Sequence, residues 1–263
     1  MALLRPLRAS VAFALLAGAG CSAAATPALA PSQPLVEKSV RTLGRPVPHG
    51  GHNYVYVADA FADTVWIFPA GGLNPNPVGE ITQGIKGPQG IAVDATGNLY
   101  VSNSSAAPPS VTIYPPGSTS PSLTLTQGLT VPAAVAVDSK GNVWVSNEMG
   151  SFQGSVVEFP AGKTSPSTII GGLNPYGVAV DSQDNLYVEN YNTSAAFVSV
   201  YPPGATKPSK EFGASDLIEP LGIAVGPTGD VYVCDFQYNN VYIYRAKSHK
   251  LLKTVTVEAG SLA

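Results

Sequence analysis

The chain of 263 residues is short of charge: only 12% of it is Asp, Glu, Lys or Arg, about half the share of an ordinary soluble domain. That excludes a coiled coil or a solvated helix bundle, whose outer faces need charge. A formal net charge of −3 excludes a nucleic-acid binder working through a basic surface. Histidine and cysteine are scarce too, with three and two residues. No HxxxH, CxxC or G-x-S-x-G occurs, so zinc sites and hydrolase nucleophile elbows have no support in the sequence. What is abundant is glycine, with 27 residues, and proline, with 24. Val, Ile, Leu and Tyr recur steadily between them, which excludes a disordered chain. Short apolar runs cut by frequent turn residues are the pattern of an all-β domain with many short strands.

The longest apolar run lies at the N-terminus. Arg5 and Arg8 precede Ala9 to Gly20, which as a helix would span about 18 Å against a hydrocarbon core of ~30 Å. Residues 1–20 therefore read as an export signal and not as a membrane span. The run ends in Gly18-Ala19-Gly20-Cys21-Ser22, which resembles a bacterial lipobox, with Gly18 where that pattern prefers Leu. The resemblance implies lipidation of Cys21, so that the protein meets the membrane only through a lipid anchor at the cell envelope. Cleavage after Ala23-Ala24-Ala25, releasing a soluble periplasmic or secreted protein, is the alternative. Residues 21–35, rich in Ala and Pro, form a tether, and residues 36–263 form the folded domain. If Cys21 carries lipid, Cys234 has no partner for an intrachain disulfide and reads as a small buried side chain.

Within 36–263 the chain repeats itself. Four segments align: Gly90 to Asn103, Ala134 to Asn147, Gly177 to Asn190 and Gly222 to Asp235. A fifth, Asn53 to Asp59, keeps only the second half of the pattern. An aromatic marks the period at Tyr56, Tyr100, Trp144, Tyr187 and Tyr232, about 44 residues apart. An aromatic-Pro-x-Gly step at Phe68, Tyr114, Phe159 and Tyr201 keeps time with it. Each repeat divides into four strands, A to D. In the second these are Ile91–Val93, Leu99–Ser102, Val111–Tyr114 and Leu123–Thr126, with a turn at Asp94–Asn98 and a stop at Pro115-Pro116-Gly117. Four antiparallel strands per 40–50 residues predict a β-propeller. Five blades are visible, with six as the alternative. The first blade's strand A slot, Arg45 to His49, carries two prolines, and Val36 to Leu43 is a second source of a closing strand.

The run P-x-G-[IV]-A-V-D-x-x-G-N-[LV]-[YW]-V resembles the NHL repeat, of the propeller superfamily that includes the senescence-marker/gluconolactonase proteins. The resemblance covers about 53–257 and implies the fold, while the superfamily holds both enzymes and binding propellers. Gluconolactonase-like enzymes hold a divalent metal through Asn and Asp in the step that leads into strand A, helped by a first-blade Glu. The matching positions here are Gln89, Ala133, Tyr176 and Leu221. None is a carboxylate, and Glu37 is the one Glu near the first blade's start. The histidine-dependent propeller lyases find only His49, His52 and His249, all near the ends of the domain.

Candidate site residues follow from the strand order. B–C and D–A loops share one face, and there the ends of strand B carry Asp59, Asn103, Asn147, Asn190 and Asp235. Their oxygens suit calcium, or else they build the B–C turns. Asp94, Asp138 and Asp181 close A–B turns on the opposite face. Glu189 breaks the symmetry, standing where other repeats have Ala58, Ser102, Ser146 and Cys234; it reads as a channel-lining acid or a paired surface charge. Phe61, Glu148, Met149, Phe152, Tyr176, Glu189, Tyr191, Phe236 and Tyr238 make up the candidate ligand-binding face, because loop aromatics bury much area with few rotors. The expectation is a non-catalytic binding or scaffold module without a cofactor, calcium being the possible exception, for a protein or glycan at the cell envelope. A metal-dependent lactonase, hydrolase or lyase using Glu189, Glu148 or the Asn/Asp ring is the alternative.

Overall fold

Short β-runs bounded by proline and glycine become nineteen strands, with no helix among the described residues. The computed structural model describes residues 54–70, 76–148, 153–192 and 195–256. Cys21, the tether, Glu37, His49, His52, both candidate closing segments, Met149 and Phe152 lie outside them.

The strands form five antiparallel sheets. The first holds β1 (Tyr54–Asp59), β2 (Thr64–Pro69) and β3 (Gly79–Ile81); the second β4 (Pro88–Val93), β5 (Leu99–Asn103), β6 (Ser110–Tyr114) and β7 (Leu123–Leu125). The third holds β8 (Pro132–Val137), β9 (Val143–Asn147), β10 (Gly154–Phe159) and β11 (Thr168–Leu173). The fourth holds β12 (Pro175–Val180), β13 (Leu186–Asn192), β14 (Ala195–Tyr201) and β15 (Lys210–Phe212). The fifth holds β16 (Pro220–Val225), β17 (Val231–Asp235), β18 (Asn240–Tyr244) and β19 (Leu251–Thr256). Strands pair in chain order within each sheet, and the first strands of successive sheets lie against one another. This is the five-bladed β-propeller that the repeat predicts. The first blade shows strands B to D among the described residues.

The core lies between blades, not inside any one of them. Val65, Ile67 and Ile81 of blade 1 pack on Ile91, Leu99 and Val101 of blade 2. Three further clusters join blades 2 and 3, 3 and 4, and 4 and 5. The repeated aromatic supplies much of this contact: Tyr100, Trp144 and Tyr187 are 4–7% exposed. Tyr232 takes the same place in blade 5 but is 37% exposed, because it faces the seam toward blade 1, where the strands of the described residues do not close against it. For the same reason Cys234, expected to be buried, is exposed.

The motif's small residues are set by this packing. A Cβ on Gly90 would come within 2.6 Å of the Ala133 carbonyl oxygen and 2.7 Å of Ala134 Cα on the next blade, closer than real Cβ contacts allow. Serine at the repeated position of strand B then ties neighbouring blades together. Ser102 Oγ accepts from Gly90 N at 2.7 Å and donates to Ala133 O of the next blade at 2.6 Å. Ser146 does the same between Ala134 N and Tyr176 O, at 2.7 Å each.

Candidate functional site

Antiparallel order puts the B–C and D–A connections on one face, called upper here, and the A–B and C–D turns on the other. Phe61 (80% exposed), Phe236 (53%) and Tyr238 (50%) stand out from upper B–C connections. Tyr176 lies half-buried on β12, and Glu148 follows β9. Tyr191, expected in a loop, belongs to β13, which runs on through Asn192 and pairs with β14 up to Ala195. It packs half-buried on the blade 4–5 cluster.

The ring of Asn and Asp at the ends of strand B is engaged blade by blade. Asn103 Oδ1 accepts from Lys86 N at 3.0 Å, and Asn147 Oδ1 accepts from Thr130 N and Val131 N at 2.8 and 2.9 Å. Asp235 Oδ2 accepts from Ile218 N and Glu219 N at 2.7 and 3.1 Å. These three hold the D–A loop of their own blade, where the sequence suggested a B–C turn; Asp235 also makes that turn, its Oδ1 accepting from Tyr238 N at 3.3 Å. Asp59 does make that turn, with Oδ1 accepting from Phe61 N and Ala62 N. No group of three or more His, Cys, Asp or Glu among the described residues is placed to hold a metal.

Blade 4 breaks the pattern. In blades 2, 3 and 5 six or seven residues separate strands D and A, whereas one residue, Asn174, separates β11 from β12. β11 continues to Leu173 by pairing with Gly154 of β10, so the amides that would cap Asn190 are drawn away. Asn190 keeps its donors, with Nδ2 on Val188 O and Ser199 Oγ, both at 3.2 Å. Its Oδ1 is left without a partner, and so is the Oδ1 of Asn174. Both residues are at least 95% buried, and such unpaired acceptors are rare and costly. Asn174 sits beside both candidate tyrosines: its carbonyl accepts from Tyr191 N at 3.0 Å, and Tyr176 follows two residues later.

Glu189 is neither a surface ion pair nor a solvated acid: its exposure is 0%. It fills the bridging position that serine holds in blades 2 and 3, between Gly177 of its own blade and Gly222 of the next. Both amides favour its charged form, yet neither carboxylate oxygen closes a normal hydrogen bond. Burial dominates, and with help from the Asp235 charge it pushes the carboxyl up to about 8, so the acid is mostly protonated at neutral pH.

Above it the upper face gathers carboxylates and phenols within electrostatic reach of each other. Burial raises the Glu148 carboxyl above its usual range, opposed in part by the Tyr176 hydroxyl. Tyr176 is itself raised, first by burial and then by the charges of Glu148 and Glu219. Tyr191 is raised by burial and by Glu219 and Asp235. The geometry thus brings Glu148, Tyr176, Tyr191 and Asp235 together and adds Glu219 and Asn174, which the sequence reading missed. Aligning Gly171-Gly172-Leu173-Asn174-Pro175 with Thr126-Gln127-Gly128-Leu129-Thr130-Val131-Pro132 reveals the shortened loop that marks the place. Phe61 lies apart from this group, on blade 1.

The remaining candidates belong to the lower face. Asp94 Oδ1 accepts from Thr96 N and Asn98 N, and Oδ2 accepts from the Tyr100 hydroxyl at 2.9 Å. Asp138 and Asp181 repeat the turn. His249 stacks on Phe212 with ring centroids 4.6 Å apart, and burial lowers its pKa. No protein-family model and no curated protein matches this chain.

Proposed function

We propose that the protein is an exported, non-catalytic propeller of the NHL-like kind, anchored by lipid at Cys21, that binds a partner protein or glycan at the cell envelope. The observation that carries this reading is the gathering of Glu148, Tyr176, Tyr191 and Glu219 on one face, where blade 4 departs from its own repeat. Repeated positions build the fold, and their loss at one place frees that place for recognition. Exposed Phe236 and Tyr238 extend the surface across blade 5. Tyrosine beside carboxylate supplies apolar area and hydrogen bonds together. Acid catalysis by Glu189 has weaker support, because that carboxyl is sealed from solvent.

The test is affinity capture from envelope extract with residues 31–263 as bait. A Phe236→Ser/Tyr238→Ser/Tyr176→Ser variant should lose the captured partner. A lower-face Lys163→Ser/Lys207→Ser variant should keep it. Equal capture by all three baits would contradict an upper-face site.

A further inference from the structure

We propose that the upper face over blades 3 to 5 receives an ammonium or guanidinium group, so that its partner presents a lysine- or arginine-bearing polypeptide segment. The inference rests on the binding reading above and gives it a chemistry.

Three independent observations converge on it. The first is hydrogen-bonding sense. The two unpaired buried amide oxygens in this part of the described molecule, Asn174 Oδ1 and Asn190 Oδ1, are both acceptors. Asn174 is 5% exposed, its carbonyl accepts from Tyr191 N and Tyr176 follows two residues later, so its free oxygen favours a donor-rich visitor. An acceptor-rich one, such as a phosphate or carboxylate, would be repelled.

The second is charge. Upper-face connections and strand ends carry Asp59, Asp63, Glu148, Asp216, Glu219 and Asp235. The one basic residue described there is Lys86, whose ammonium pairs with Asp63 at the far side, on blades 1 and 2. On the lower-face turns Lys140, Lys163, Lys207, Arg245, Lys247 and Lys250 offset Asp94, Asp138, Asp181, Asp184 and Asp230, so the excess negative charge of the described connections sits on the upper face. Such a separation of charge steers cations to the upper face.

The third is the aromatic pair. Tyr176 lies within reach of the Glu148 and Glu219 charges and Tyr191 within reach of the Glu219 charge, and an aromatic ring with a carboxylate in reach favours an organic cation through cation–π attraction. A neutral glycan would use the rings but not the charge.

Tetralysine, tetraglutamate and maltotetraose distinguish these cases by titration calorimetry at 20 mM and 300 mM salt. Tetralysine should bind at low salt and weaken at high salt, while the other two should not bind. Glu148→Gln and Glu219→Gln should each weaken it about tenfold, the worth of one charge-assisted contact, with melting temperatures near wild type. If a variant does not fold, the contrast between the three probes on the wild type still decides. Failure of tetralysine to bind, binding unchanged in both variants, or binding of maltotetraose alone would overturn the proposal. A partner that needs Tyr176 and Phe236 but ignores Glu148→Gln and Glu219→Gln would sink the cation assignment and leave the binding reading standing. A partner that ignores all four would sink both.

Discussion

At the scale of the residue, one position of strand B shows how a repeat is spent on structure and then released. Ser102 and Ser146 each satisfy an amide in one blade and a carbonyl in the next. Ser146→Ala leaves both groups buried and unpaired and should cost about 1–3 kcal/mol, read from denaturant melts. Glu189 holds the same position and pulls the other way. Its carboxyl is raised from the ordinary 4.5 to about 8 in the fold. Below pH 4.5 both folded and unfolded forms are protonated, and Glu189 costs nothing through ionisation. Between 4.5 and 8 the unfolded chain gives up the proton and the fold keeps it, so stability falls as pH rises, by at most about 1.4 kcal/mol per pH unit. Above 8 the penalty stays constant. Glu189→Gln should remove that slope: between pH 5 and 8 the variant's melting temperature should rise relative to wild type. Parallel curves would mean that the carboxyl titrates normally.

At the scale of the element, the D–A loops divide into those held by strand B and the one that is not. Asn147 carries two loop amides on one oxygen, whereas the oxygen of Asn190 carries none. Asn147→Ala should therefore cost about 1–3 kcal/mol and loosen residues 126–131, visible as faster amide exchange there. Asn190→Ala should cost less, since only its two donor bonds are lost. A larger loss at Asn190 would contradict the capping role. The sequence made these elements legible to within a few residues. The second blade's strand A was expected to start at Ile91 and starts at Pro88, because a register shift between Pro88 and Ile91 carries the strand through the motif's Pro and Gly. Turn residues mark a strand's end by local chemistry, while its beginning here depends on a neighbouring blade.

At the scale of the whole molecule, the same division explains what could be read early and what could not. The fold was legible because each blade repeats the same local solution, so Tyr100, Trp144 and Tyr187 announce one packing contact three times. The site was legible only in part. Glu148 and Glu189 stood out as departures from the repeat, and Tyr176 and Tyr191 as aromatics of the candidate face. Glu219 and Asn174 did not, since their meaning comes from a loop two residues shorter than its counterpart in blade 3 and from neighbours far off in sequence. The separation of charge between faces likewise appears only once the turns are assigned to sides. The most direct measurement places a photo-reactive benzoyl-phenylalanine at Phe236 on the upper face, and in a second protein at Lys163 on the lower, in envelope-bearing cells. An upper-face recognition surface predicts a discrete crosslinked product at Phe236 that fades with Glu148→Gln and Glu219→Gln, and none at Lys163. A product at Lys163 alone, or the same product from both positions, would contradict it.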